Sequence, residues 1–239
     1  MSRVEDPLIV ALDTSDWFIM RRLADQLQSL VKTVKIGLEA FISLGPEVLE
    51  EMKQRGFKVF ADLKLLDIPN TVQGAVKGLV ERDVDMITLH AMGGRRMLME
   101  AVEACGEQAV DKGIEPPLLL GVTVLTSLDE PELKDMGMET GMRELVLNLA
   151  RVGLESGLDG VVASARESEV LRDEFGSDIV IVTPGIRLPD DSTQDQSRVE
   201  TPSRALASGA DYIVVGRTIT AAGDPVSALA EVRRYQAFR

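Results

Sequence analysis

Two lysines and three aspartates in this chain could put two cations and three anions at one site. In the segment Asp62-Leu63-Lys64-Leu65-Leu66-Asp67 the first carboxylate and the ammonium stand two residues apart. Strand alternation sends both to the same side. An ammonium between carboxylates stays protonated, because each neighbour favours its charged form. Lys64 is therefore suited to giving a proton, not to attacking as a neutral amine. Asp13 and Lys35 stand near the ends of two other apolar runs and add a carboxylate and a cation. Where such groups face an interior they are poorly hydrated and must pair or change protonation. Near the C-terminus, Gly216-Arg217 joins an apolar run to a helical segment. Arginine can fork onto phosphate oxygens, and glycine lets a ligand approach the backbone closely. Taken singly, each charge is more often a solvated strand-end residue, and Gly216-Arg217 is equally a tight turn before a surface arginine. The set carries more weight than its members.

The elements that must position these groups are short and regularly spaced. Eight apolar, largely β-branched runs occupy residues 7–13, 33–37, 58–63, 84–90, 117–124, 158–163, 178–184 and 211–215. Between them lie helix-spaced apolar residues such as Leu23, Leu27, Leu30 and Val31, or Leu145, Leu149 and Val152. Gly56, Gly157 and Gly209 read as helix C-terminal stops. Eight strand–helix pairs in 239 residues fit a single α/β domain spanning 1–239, a (β/α)8 TIM barrel. A doubly wound open sheet remains the alternative, since periodicity does not prove closure. In a barrel the chemistry comes from the C-terminal ends of the strands. There the runs offer Asp13, Lys35, Asp62, Lys64, Asp67, His90, Thr123, Thr126, Ser127, Pro184, Arg187, Gly216 and Arg217. The strand starts read mostly as ordinary solvated residues. The polar stretch 185–201, with Pro189, Asp190, Asp191, Ser192 and Thr193, has the length of a lid or binding loop.

Composition narrows the partners. The chain is 45% hydrophobic but only 4% aromatic, so its core must be aliphatic. A formal charge of -13 disfavours nucleic acid and anionic membranes as partners, and an anionic ligand would need a local cationic pocket. The single Cys105, among Ala101, Val102 and Ala104, forms no intrachain disulfide and reads as a packing residue in a reducing compartment. No leader precedes the first run, and no apolar stretch approaches the ~20 residues of a membrane span. A cytoplasmic protein is expected. The single His90 excludes a multi-histidine metal site or a histidine-dependent triad and is expected in a hydrogen-bonded structural role.

The stretch from Asp62 to Thr71, DLKLLDIPNT, resembles the signature of the orotidine 5′-monophosphate decarboxylase family. The similarity continues through IVALD at Asp13, KIG at Lys35, VTVLTS at 122–127, TPGIR at Arg187, DQSR at Gln196 and VVGR at Arg217. Order and spacing resemble bacterial members over essentially the whole chain. The resemblance implies a homodimeric barrel with sites at the subunit interface. It implies cofactor-free, metal-free decarboxylation of orotidine 5′-monophosphate to uridine 5′-monophosphate, the last step of de novo pyrimidine nucleotide synthesis. By the same resemblance Lys35, Asp62, Lys64 and Asp67 form the catalytic network, with Lys64 the proton donor, and the neighbouring subunit supplies Asp67 and Thr71. Asp13 and Lys35 hold ribose hydroxyls, and Thr126 with Ser127 meets the pyrimidine. Gln196, Gly216 and Arg217 bind phosphate, and Arg187 anchors the phosphate-gripping loop. Asp62, Ile68, Pro69 and Pro184 complete the expected substrate contacts.

One position departs from many bacterial members, which carry histidine where this chain has Leu66. Metal-dependent relatives on the same scaffold share the Asp-x-Lys-x-x-Asp pattern but place a magnesium-binding glutamate near the end of strand two. Lys35 stands there, and a cation repels a metal. A catalytically silent nucleotide-binding protein would keep Gln196 and Arg217 without needing Asp62, Lys64 and Asp67.

Overall fold

The computed structural model describes residues 4–189 and 200–237. Its strands are β1 (Leu8–Ala11), β2 (Thr33–Gly37), β3 (Lys58–Leu65), β4 (Met86–His90), β5 (Leu118–Val122), β6 (Gly160–Val162), β7 (Val180–Thr183) and β8 (Tyr212–Val215). All pair in parallel and in sequence order, and β8 returns to pair with β1 through Ile9↔Val214. That last pairing closes the barrel and removes the open-sheet alternative. The observed ends fall within two residues of the expected runs.

Helices cover the outside: α1 (Trp17–Leu27), α2 (Leu38–Leu44), α3 (Glu47–Gln54), α4 (Pro69–Val80), α5 (Gly94–Lys112), α6 (Glu130–Asp135), α7 (Met142–Glu155), α8 (Ala165–Phe175), α9 (Pro202–Ala207), α10 (Arg217–Thr220) and α11 (Pro225–Ala237). No helix among the described residues is long and apolar enough to cross a membrane. Gly56, Gly157 and Gly209 do stop helices. Each has positive φ, at 86°, 97° and 101°. The amides of Phe57, Leu158 and Ala210 turn back to the carbonyls of Met52, Gly153 and Ala205. This is the six-to-one bond of a left-handed helix end.

Because helices cover one face and the barrel interior the other, the strands have no solvent side, and β1 is buried throughout. Side chains pointing inward form one packed layer: Ile9, Ala11, Phe60, Met86, Leu120, Val122, Val162, Val182 and Val214. Those pointing outward meet the helices. Cys105 sits in that outer core, and burial, with Asp159 nearby, pushes its thiol up to about 11. It is an unreactive packing residue, as expected.

The strand starts correct the sequence reading. Asp85, Asp159 and Asp211, at the entries to β4, β6 and β8, are not ordinary solvated charges. Each turns its carboxylate onto a backbone amide of the preceding strand: Val59 at 2.7 Å, Leu119 at 2.7 Å and Ile181 at 2.8 Å. Asp85 also pairs with Lys53 at 2.8 Å, and Asp211 with Arg172 at 2.8 Å. Arg172 further donates to the carbonyls of Gly176, Ile179 and Gly209. One guanidinium thus binds the end of α8 to the entries of two strands. Charged hydrogen bonds of this kind are among the stronger ones. Asp211→Ala is expected to cost about 2–4 kcal/mol of unfolding free energy. Urea denaturation measures it, and a loss below about 0.5 kcal/mol would place Asp211 with ordinary surface pairs.

Candidate active site

The charged residues gather at the mouth formed by the C-terminal strand ends. Lys35, on β2, is the hinge of the cluster. Its Nζ lies 3.1 Å from Asp13 Oδ2 and 3.3 Å from Asp62 Oδ2. Lys64 Nζ lies 2.8 Å from the other oxygen of Asp62, Oδ1. Carboxylate and ammonium therefore alternate in the order Asp13, Lys35, Asp62, Lys64. Gly37 lets the chain close. Its N–H donates to Asp13 Oδ1 at 3.2 Å. A Cβ there would come within 2.6 Å of that oxygen and 2.9 Å of Lys35 Nζ.

Asp62 and Lys35 are almost wholly buried. Burial alone would raise the Asp62 carboxyl, yet the ammoniums of Lys35 and Lys64 outweigh it and hold the group below the ordinary carboxylate range. Burial would likewise lower Lys35, and Asp62 and Asp13 reverse that, holding it above the ordinary lysine value. Both groups are ionised at neutral pH.

The backbone here is not regular strand. The β3–β4 register runs Ala61↔Ile87 and then jumps to Leu65↔Leu89, and Lys64 carries a left-handed φ of 50°. Strand alternation correctly anticipated that Asp62 and Lys64 would meet. They meet across a bulge, however, not across an even pleat.

A cavity of about 490 Å³ opens above these residues. Asp13, Lys35, Asp62 and Lys64 line one side, and Thr126, Pro184, Arg187, Gly216 and Arg217 line the rest of the rim. Phe60, Val122, Val162, Val182 and Val214 form an apolar floor. The size suits a nucleotide-scale small molecule, and a few polar groups over an apolar floor is the usual make-up of such sites. At the base of the loop, Ile186 bridges to Glu200, and the Arg187 N–H donates to the Glu200 carbonyl at 3.0 Å. The two ends of that segment are thereby held together beside the cavity.

Other expected residues lie elsewhere. Asp67, Ile68, Pro69, Thr71 and Ser127 do not line the cavity. Asp67 is exposed and accepts the Ile68 N–H at 2.6 Å, while Pro69 opens α4. Gln196 lies outside the described residues. His90 takes the structural place expected of it, its Nδ1 accepting the Met92 N–H at 3.4 Å. Burial, and then the Lys64 charge, lower its pKa. Sequence reasoning missed Gly37 as the residue that admits the network, and it missed the fully buried Thr88, which bonds Asp62 Oδ1 at 3.1 Å. A threonine inside the otherwise apolar run Met-Ile-Thr-Leu was the available signal.

Comparison with known proteins covers nearly the whole chain. The family model described as Orotidine 5'-phosphate decarboxylase / HUMPS family matches residues 6–232. A Moorella thermoacetica protein named orotidine 5'-phosphate decarboxylase is 47% identical over 94% of this chain and 89% of its own length. One of the same name from Dictyoglomus thermophilum is 44% identical over 97% of this chain and 95% of its own. Among solved structures, orotidine 5'-phosphate decarboxylase from Lactobacillus acidophilus superposes with a TM-score of 0.85 at 35% identity, covering 98% of this chain and 100% of that one.

The depressed Asp62 carboxyl has a stability consequence with a definite sign. Its ion pairs contribute fully above the unfolded pKa of about 4 and fade as pH falls through the lower folded value. Asp62→Asn leaves two ammoniums facing no carboxylate between them, so it is expected to cost about 3 kcal/mol at neutral pH. The gap to wild type closes as pH falls below about 4. Denaturant unfolding across a pH series checks this, and a gap unchanged down to pH 2 would contradict an ionised Asp62.

Proposed function

The chain belongs to the Orotidine 5'-phosphate decarboxylase / HUMPS family, and on that premise we propose that it decarboxylates orotidine 5′-monophosphate to uridine 5′-monophosphate and carbon dioxide in pyrimidine nucleotide synthesis, with Lys64 as proton donor. The observation that carries the proposal is the Lys64 ammonium, 2.8 Å from Asp62, on the wall of the cavity that Arg217 also lines. Relatives at 44–47% identity that bear the decarboxylase name support the same substrate.

The chemistry asks for what this mouth supplies. When the bond from ring carbon 6 to the carboxylate breaks, carbon dioxide departs and the electron pair stays on a carbon that delocalises it poorly. Preorganised positive charge beside that carbon lowers the barrier. Lys64 provides it and then transfers a proton from Nζ to carbon 6, completing the product; water reprotonates the amine. Asp62 would face the departing carboxylate as well as holding the Lys64 ammonium in aim at 2.8 Å. We assign Asp13 and Lys35 to the ribose hydroxyls and Thr126, on the cavity wall, to the pyrimidine, with Ser127 next to it but off that wall. Pro184 shares the cavity rim. Gly216 and Arg217, with Gln196, are assigned the phosphate, and Arg187 the anchoring of the loop. A Cβ at Gly216 would meet only Ala11 Cβ at 3.6 Å. The open space there is ascribed to the ligand. Phosphate takes no part in bond breaking, so its contacts lower the barrier through remote binding energy.

Lys35 favours this reading over a metal-dependent one. Its ammonium already bridges the Asp13 and Asp62 carboxylates, the oxygens a divalent cation would need.

A homodimer belongs to the proposal, with Asp67 and Thr71, and beside them Ile68 and Pro69, reaching the partner's site. All but half-buried Pro69 are exposed and off their own cavity. Leu66 and Ile68, in the same stretch, are exposed apolar side chains at 54% and 67%. A cytoplasmic setting accompanies it, in keeping with one unpaired, buried cysteine.

Two variants test the assignment. Lys64→Ala is expected to abolish turnover in a spectrophotometric assay of substrate loss, while calorimetry still detects binding of the product nucleotide. Near-normal turnover would reject Lys64 as donor. Arg217→Ala is expected to lose about 2–4 kcal/mol in kcat/KM. The deficit should vanish on a substrate truncated to lack phosphate; a deficit confined to that truncated substrate would contradict the phosphate role.

A further inference from the structure

Between the pairs Ala61↔Ile87 and Leu65↔Leu89, β3 runs through Asp62, Leu63 and Lys64, while β4 has Thr88 alone. Bulges are uncommon in parallel sheets, and the surplus residues leave the regular ladder. At its end Lys64 adopts φ 50°, a region unfavourable for any residue with a Cβ. Such a conformation persists only where its surroundings over-determine it.

Thr88 is the residue opposite the bulge, and it is 0% exposed. Its Oγ1 accepts the Lys64 backbone N–H at 2.8 Å and lies 3.1 Å from Asp62 Oδ1. An ionised carboxylate only accepts, so the hydroxyl proton points to Asp62. The same Oδ1 receives the Lys64 ammonium at 2.8 Å. One hydroxyl therefore grips both ends of the bulge, the backbone of the lysine and the carboxylate that aims its side chain. Thr88 does not line the cavity, so it has no route to the substrate except through these two residues.

We propose that Thr88 is a positioning residue whose hydroxyl clamps the Asp62–Lys64 bulge and holds the Lys64 ammonium in its proton-delivering direction. This rests on the decarboxylase reading above. Valine has the shape of threonine but can make neither bond. Thr88→Val is expected to lower kcat by about ten- to a hundredfold, the scale of a buried hydrogen bond lost at a reacting centre. KM should stay within about threefold, since ribose and phosphate contacts are untouched. Thr88→Ser keeps the hydroxyl and should restore kcat to within about threefold of wild type.

Amide hydrogen exchange at Lys64, read by NMR, supplies a measure that does not depend on activity. Exchange should accelerate at least about tenfold in T88V and not in T88S. Unchanged kcat in T88V, equal losses in both variants, or equal Lys64 exchange would each overturn the clamp. If the wild-type chain fails to decarboxylate the substrate, the proposed function falls, and the exchange comparison still decides the clamp. Should T88V not fold, Thr88→Cys replaces it, with its weak thiol donor and acceptor, under the same expected pattern.

Discussion

A single carboxylate shared between two ammoniums is the interaction around which the mouth of this barrel is built. Asp62 gives one oxygen to Lys35 and the other to Lys64. Desolvation opposes its charge, and the two cations overcome that opposition. Remove the carboxylate and both lysines repel each other in a poorly hydrated space. Remove Lys35 and the carboxylate faces Lys64 with half its compensation. The arrangement is thus cooperative: Asp62 and Lys35 are charged because their neighbours are, and Lys64 ends the series at the cavity wall.

The rest of the mouth can be understood from that demand. β2 brings Lys35 in beside Asp13, and Gly37 leaves the room that any Cβ would fill. β3 abandons regular pairing to turn Lys64 toward Asp62, and β4 answers with a threonine in place of an aliphatic residue. The apolar floor contributed by Phe60, Val122, Val162, Val182 and Val214 keeps water from screening the charges from below. Thr126, Pro184, Arg187, Gly216 and Arg217 complete the rim.

Much of this was legible in the sequence because barrels obey a simple grammar. Eight apolar runs announced eight strands, and charged residues at their C-terminal ends announced the mouth. Asp13, Lys35, Asp62, Lys64 and Arg217 were readable on that ground alone. What escaped were features with no periodic signature. The bulge at Asp62–Lys64 leaves alternation outwardly intact, so the left-handed Lys64 could not be anticipated, and Thr88 looked like one more β-branched strand residue. The aspartates at the strand entries were overlooked because strand starts look solvated until the neighbouring amides are placed. Asp67 and Thr71 present a different limit: their expected role concerns a second subunit, and the cavity at the mouth does not include them.

Those entry aspartates recur at every second strand, before β4, β6 and β8, each fastened to the strand behind it. A fourth, Asp6, stands at the seam, accepting the Leu8 N–H and binding Arg233 of the last helix at 2.9 Å. The barrel is thus riveted in two-strand modules on the floor opposite the mouth. Tolerance to change is consequently partitioned: rim residues outside the buried ion chain can drift toward new ligands while the rivets preserve closure, so selectivity there and foldedness are free to evolve on separate schedules.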